Sequence, residues 1–376
     1  MNTVYALASS PYLTPFYTLQ YPTPTPENTD SFHDSAYYTA GKLDICLVIT
    51  IIAIMAILRD AFRLLIFEPF ARWKLFRDLR RRRQAQALEE KKFNGSTNGQ
   101  AKSNGHIHAT NGNGHPNGSV NGNGVTGPTP KELRQLNHKV LRFAEQGWSV
   151  VYYTLQWSFG LYVHYNLPTR MLDPTDLWVA YPHKHIAAPV KIYYLTQNAF
   201  YLHQILVINA EARRKDHIQM MSHHIITIFL MVGSYFCDFT RVGCVIMVLM
   251  DCCDIFLPLA KMIRYLEISQ LLCDMTFGVF MISWLITRHI LFNFVIYSTI
   301  YVGPQHLQWL WDQDGGHYVT KNVYGVFCVL LVALELIQVG WFWLICKVVW
   351  RVLTTKDGAT DVRSDDEDDL SEAKED

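Results

Sequence analysis

The chain has 376 residues, of which 50% are hydrophobic, 13% aromatic and only 18% charged. That charged share is below the ~25% of an ordinary soluble domain, which points to an apolar setting. Lys plus Arg equal Asp plus Glu at 33 each, so the balance gives no support to a nucleic-acid partner.

The eight cysteines, Cys46, Cys237, Cys244, Cys252, Cys253, Cys273, Cys328 and Cys346, lie in or beside apolar runs, and none forms a CxxC pair. They read as small hydrophobes rather than a disulfide framework or zinc site. Residues 1–42 are polar and dotted with proline, with Lys42 the only Lys or Arg. They lack the basic start and short apolar core of a cleavable signal peptide.

The first expected span is 43–67 (LDICLVITIIAIMAILRDAFRLLIF). Its purely apolar part, Ile45 to Leu58, is short of the ~20 residues a span needs, so Arg59 and Arg63 would snorkel to the interface. Residues 68–130 read as a linker that begins with the basic run Arg80 to Arg83. From Phe93 to Pro130 it is rich in Asn and Gly and is expected to be disordered, because it has too little apolar surface to bury. Asn94-Gly95-Ser96 and Asn117-Gly118-Ser119 match the glycosylation sequon but would stay unmodified on a cytosolic segment.

Order is expected to resume in a domain over 131–352. Its spans are Trp148 to His164, Ile186 to Asn209, Met220 to Phe236, Val242 to Met262, Leu272 to Ile300 and Val323 to Trp350. A proline-containing loop, Leu167 to His185, follows the first of these. An aromatic stretch, Tyr301 to Asn322, lies between the last two and looks interfacial. Residues 353–376 are acidic and expected to be disordered, and Ser364 in SDDE resembles an acidophilic-kinase site. The fold class is therefore all-α, a polytopic transmembrane bundle of about seven spans.

Loop cations orient the bundle. Arg80 to Arg83, Arg213, Arg214, Lys215, Lys261, Arg264, Lys347, Arg351 and Lys356 fall on one side. The other side has little beyond Lys42, Arg170, Lys184, Arg241 and Lys321. The positive-inside rule makes the first side cytosolic, with the N-terminus lumenal or outside and the C-terminus cytosolic.

The informative stretch is Lys215 to Leu266, two apolar runs joined by a short turn. It carries His223 and His224 in one run, Asp251 and Asp254 in the other. A charged group costs roughly 2.5–3.5 kcal/mol at the bilayer centre on insertion scales, so four ionisable residues in one hairpin form a functional hypothesis. The histidines lie roughly 10–13 Å past the cytosolic cluster and the aspartates roughly 15–20 Å past Arg241, so the pairs meet if the helices are antiparallel neighbours. Asp251 and Asp254 share a helix face, whereas adjacent histidines diverge by about 100° and should have different jobs. A histidine can act as base or nucleophile, with a carboxylate fixing its tautomer. Two His and two Asp could also ligate zinc, but diverging neighbours are poor ligands, so no metal is expected. Taken singly, His203, His289, Asp274 and Glu335 read as structural residues that bond across helices.

The run RRKDHIQMMSHHIITIFLMVGSYFCDFTRVGCVIMVLMDCCDIFLPLAKMIRYL resembles the Lag motif of ceramide synthases, in the TLC-domain superfamily. Supporting matches are Phe143, Trp148, YYLTQNAFYLHQILV and WLITR, and the resemblance covers about 131–350. It is of fungal type, since no homeobox-like insert separates the first two spans. Cys237-Asp238 and Asn293 depart from the family pattern. The resemblance implies acyl-CoA-dependent N-acylation of a sphingoid base to a ceramide in the endoplasmic reticulum membrane, with no cofactor beyond acyl-CoA as co-substrate. It assigns catalysis to His223, His224, Asp251 and Asp254. Substrate binding is expected at Asp216, Arg213, Arg214, Lys215, Lys261, Arg264 and Arg288. The partners implied are fatty acyl-CoA, a sphingoid base and the lipid bilayer, with a homo- or hetero-oligomer left open. Direct attack by the amine and an acyl-imidazole route both remain, and the histidine pair favours the second. The loop around Tyr301 to Asn322 is expected to help set acyl length. The alternatives are a non-catalytic TLC-type lipid-binding protein and a metabolite-cluster paralogue acting on sphingoid analogues.

Overall fold

Apolar runs separated by polar turns become long helices here because a membrane span must satisfy its backbone internally. The computed structural model describes residues 10–27, 29, 31–97, 128–170, 173–210, 216–312 and 317–355. Helix α1 (Asp44–Phe62) passes through a π-turn (Arg63–Phe67) into α2 (Glu68–Thr97). The helix thus runs on into the stretch expected to be linker. Residues such as Arg, Gln, Ala, Leu, Glu and Lys fill 80–92, and these are strong helix formers.

Next come α3 (Pro130–Asn166), α4 (Ala188–Ala210), α5 (His217–Phe236), α6 (Thr240–Asp254) and α7 (Phe256–Tyr265). Thr129 starts α3 with a capping box closed by Glu132. The expected span Val242 to Met262 is broken at Ile255 into α6 and α7. Pro258 accounts for this: it lacks the N–H that would bond the Asp254 carbonyl four residues back. Helix α8 (Gln270–Trp284) continues through a π-turn (Leu285–Leu291) into α9 (Phe292–Tyr297), a second π-turn (Ser298–Val302) and α10 (Gly303–His306). Helix α11 (Lys321–Thr355) closes the bundle.

Among the described residues, four helical stretches are long and apolar enough to cross a membrane: Asp44–Glu89, Thr240–Tyr265, Gln270–His306 and Lys321–Arg351. The chain is an all-α membrane protein. The small amount of strand lies at one end of the bundle. There β1 (Pro22–Thr23), β2 (Tyr37–Tyr38) and β3 (Ile186–Ala187) form an antiparallel sheet in that order, with Pro22 opposite Tyr38 and Tyr37 opposite Ala187. The aromatic loop forms a hairpin of β4 (Leu310–Asp312) and β5 (His317–Val319) at the same end.

At this β end Lys191 is fully buried, with Nζ 2.8 Å from the Gln20 carbonyl, the Thr39 carbonyl and Asp44 Oδ1. Tyr235 donates to Asp44 Oδ2 at 2.7 Å. This clasp joins the N-terminal segment and α1 to α4 and α5. Gly243 admits the Tyr194 hydroxyl, which would overlap any Cβ there. At the opposite, basic end, Glu267 in the α7–α8 turn meets Arg82 of α2 and Lys139 of α3, each at 2.5 Å. Burial would raise the Glu267 carboxyl, but the two cations prevail and hold it below its usual range.

Candidate active site

Helix α5 brings His223 and His224 into the bundle interior, each only 7% exposed. Their ring centres are 5.4 Å apart and nearly perpendicular. Tyr201 of α4 stands 5.4 Å from the His224 ring, and Trp341 of α11 packs edge-on to His223 at 5.3 Å. His224 Nδ1 is 2.8 Å from the Met220 carbonyl one turn back. A carbonyl only accepts, so Nδ1 carries the proton and Nε2 keeps the lone pair. His223 Nδ1 is enclosed without a partner, which leaves Nε2 as the nitrogen able to reach a ligand.

The aspartates have different surroundings. Asp254 Oδ2 accepts from Arg288 Nη2 at 2.7 Å, and the same nitrogen donates to the Met250 carbonyl at 2.8 Å. The Arg288 guanidinium also lies over Trp284, 4.2 Å from the ring centre. Asp251 is 1% exposed and accepts from Gln197 Nε2, while Gln197 Oε1 accepts from Tyr152 at 3.2 Å. The expectation that a carboxylate would fix a histidine tautomer is corrected here. The Met220 carbonyl fixes His224, and the carboxylates are engaged by Arg288 and Gln197. The cause is the wall around them: α4 and the π-turn after α8 supply donors nearer to the aspartates than the imidazoles are.

A cavity of about 440 Å³ opens beside these groups. His223, His224, Asp254 and Arg288 line its inner part, and Asp216 lines it at the start of α5. Asp251 is absent from the lining and lies behind the wall. Lys261, Arg264, Lys347 and Arg351 line the part toward the basic end. A second, almost wholly apolar chamber of about 60 Å³ lies toward the β end among Thr227, Met231, Phe239, Tyr324 and Leu331. His223 and Tyr201 line both spaces and so stand between them.

Arg288 is buried in the inner wall and ion-paired to Asp254, away from the basic mouth. Arg213, Arg214 and Lys215 lie outside the described residues, as do Ser364 and the acidic tail. Sequence reasoning missed Gln197, Tyr201, Trp341, Lys347 and Arg351 as site residues. Gln197 and Tyr201 both fall in the run YYLTQNAFYLHQILV, where polar and aromatic residues at helical spacing were the available signal. Among the described residues, no three or more His, Cys, Asp or Glu side chains gather closely enough to hold a metal ion.

The comparisons with known proteins bear on this arrangement. Residues 142–347 match the family profile described as TLC domain. The chain belongs to the TLC-domain family. Its relatives lie in the ceramide synthase branch, including those of fungal type. It is 40% identical over 243 residues to sphingosine N-acyltransferase lag1 of Schizosaccharomyces pombe, covering 63% of this chain and 60% of that one. It is 36% identical over 262 residues to the sphingosine N-acyltransferase-like protein ALT7 of Alternaria alternata, covering 61% and 60%. It is 33% identical over 248 residues to ceramide synthase LOH2 of Arabidopsis thaliana, covering 65% and 81%. The chain thus spans about 60% of the length of the fungal relatives it matches.

Proposed function

We propose that the protein is a ceramide synthase, transferring a fatty acyl group from acyl-CoA to the amine of a sphingoid base. The observation that carries this reading is His223, shared between a cation-lined cavity and an apolar chamber. Acyl-CoA has the matching order of parts: phosphates, a thioester, then an aliphatic chain. Its phosphates would meet Lys261, Arg264, Lys347 and Arg351 at the mouth. The first few carbons of its chain would enter the apolar chamber, which is smaller than a whole acyl chain, and its thioester carbonyl would come against His223. The names of the relatives support the same reaction class.

In the favoured sequence, the His223 Nε2 lone pair attacks the thioester carbon. The C–S bond breaks and the CoA thiolate leaves, giving an acyl-imidazolium. His224, whose Nε2 lone pair is fixed by the Nδ1 bond to Met220, takes a proton from the sphingoid ammonium. The amine then attacks the acyl carbon, the C–N(imidazole) bond breaks, and His223 is restored. Of the two protons lost from the ammonium, one ends on the CoA thiol and one in solvent. The Asp254–Arg288 pair holds charge beside these steps. The basic end would face the cytosolic side of the endoplasmic reticulum membrane, where acyl-CoA is found.

The test is N-acylation in microsomes with a panel of acyl-CoAs and sphingoid bases, wild type beside His223→Ala and His224→Ala. Amide formed by wild type and lost in both variants supports the reading. Activity surviving in both, or absent from wild type across the panel, contradicts it, and the second result favours a lipid-binding role.

A further inference from the structure

A second polar cluster stands behind the wall that carries Arg288. Glu335 of α11 accepts at Oε1 from His289 Nδ1 at 2.7 Å and from Asn293 Nδ2 at 2.8 Å. Asn293 Nδ2 also donates to the His289 backbone carbonyl at 2.8 Å, so both its amide protons are used. The His289 and Glu335 side chains are only 13% and 12% exposed, and the imidazole packs edge-on to Phe342 at 4.9 Å. None of the three lines either cavity.

Ionisable side chains inside a span are costly, and apolar packing would join α11 to its neighbour at less cost. The π-turn Leu285–Leu291 supplies a reason for them. A wide turn departs from the regular i→i−4 ladder, and here the His289 carbonyl accepts from the Phe292 N–H. Asn293 donates to that carbonyl as well, and Glu335 ties both Asn293 and the His289 ring of the turn to α11. Arg288 precedes His289 in that turn, and its own side chain runs inward to Asp254 and the Met250 carbonyl. On α11, the helix of Glu335, Trp341 packs against both His223 and Trp284.

We propose that Glu335, acting through His289 and Asn293, is a positioning residue. It holds the π-turn so that Arg288 meets Asp254 beside the catalytic histidines. The proposal rests on the acyltransferase reading for its activity measurement, but not for its stability measurement.

The experiment compares wild type, Glu335→Leu, Glu335→Gln and Asn293→Leu in steady-state N-acylation. Glu335→Leu is expected to lose about 10-fold or more in kcat, with the KM for acyl-CoA within about 2-fold, as for an interaction that matters in the transition state. Glu335→Gln keeps the accepting oxygen and is expected to recover to within about 3-fold of wild type. Wild-type kcat in Glu335→Leu, no rescue by Gln, or an effect confined to KM overturns the proposal. Where Glu335→Leu fails to accumulate, Asn293→Leu decides, and wild-type kcat there overturns it.

Thermal unfolding of Arg288→Met, Glu335→Leu and the double variant gives the second measurement. The summed single losses should exceed the double loss by about 2 °C or more, because the two residues are coupled. Additive losses overturn the proposal whatever the turnover. A wild type without acylation breaks the acyltransferase reading instead, and this thermal cycle still decides the role of Glu335.

Discussion

Two of the interior ion pairs among the described residues, Lys191–Asp44 and Arg288–Asp254, differ in what surrounds them. At the β end, the Lys191 ammonium has three oxygens at 2.8 Å, and Asp44 also accepts from Tyr235 and the Gly41 amide. In the candidate site, Asp254 meets Arg288, and Arg288 Nε, Asp251 Oδ1 and His223 Nδ1 are enclosed without hydrogen-bond partners, whereas Asp44 Oδ1 at least faces the Lys191 ammonium. The first pair is closed around local polar groups and lines neither of the two cavities described above. The second lines a cavity of about 440 Å³. Buried charge alone does not identify a site in a membrane bundle. Charge whose neighbours face an open cavity does.

The largest effects should separate the two pairs. Asp254→Asn is expected to lower acyl transfer about 100-fold, on the scale of losing an electrostatic group beside the reacting atoms. Lys191→Met leaves Asp44 buried without its cation, which costs about 3–5 kcal/mol of stability. Its turnover per folded molecule should stay near wild type. Activity titrated against folded protein checks both, and a Lys191→Met variant that folds but turns over poorly would blur the distinction.

A smaller effect is expected at the mouth. Lys261→Ala with Arg264→Ala should raise the KM for acyl-CoA about 10-fold with little change in kcat, and the difference should shrink as salt rises. Equal KM values at low salt would remove these cations from phosphate binding.

The site was only partly legible in the sequence. His223, His224 and Asp254 stood out because apolar spans exclude ionisable groups, and all three line the cavity. Asp251 stood out for the same reason, yet its partner Gln197 lies 54 residues earlier, on α4. Pairing across helices is set by packing, which a single run of residues does not encode. The π-turns were invisible for a related reason, since one extra residue per turn leaves no mark on an all-round apolar pattern. The break at Pro258 could have been read, because proline removes the bond to the Asp254 carbonyl. The N-terminal segment looked merely polar. Its attachment depends on Tyr37 pairing with Ala187 and on Lys191, contacts that span about 150 residues.

Beyond the spans, the turn between α5 and α6 offers a pH test. Burial pushes the Asp238 carboxyl from 3.8 up to about 7, with Lys184 pulling the other way. The folded protein therefore holds a proton that the unfolded chain releases near pH 4. This contribution to stability is complete below that pH and is lost as pH rises through about 7. Asp238 has φ of 58°, a conformation that Asn also tolerates. Asp238→Asn should remove this part of the pH dependence of Tm, and an unchanged slope between pH 4 and 7 would contradict it.

The smallest effect belongs to Glu267, whose partners are largely exposed. Glu267→Gln should cost no more than about 1 kcal/mol, and less at high salt. Thermal unfolding at two ionic strengths checks it.

The central claim is that chemistry occurs at His223, which lines both cavities. Intact-protein mass spectrometry after incubation with acyl-CoA, without any sphingoid base, tests it most directly. The wild type is predicted to gain the mass of one acyl group and to lose it on addition of the amine, while His223→Ala gains nothing. A wild type that acylates sphingoid bases but never carries the acyl mass, or an adduct that persists in His223→Ala, would contradict the account.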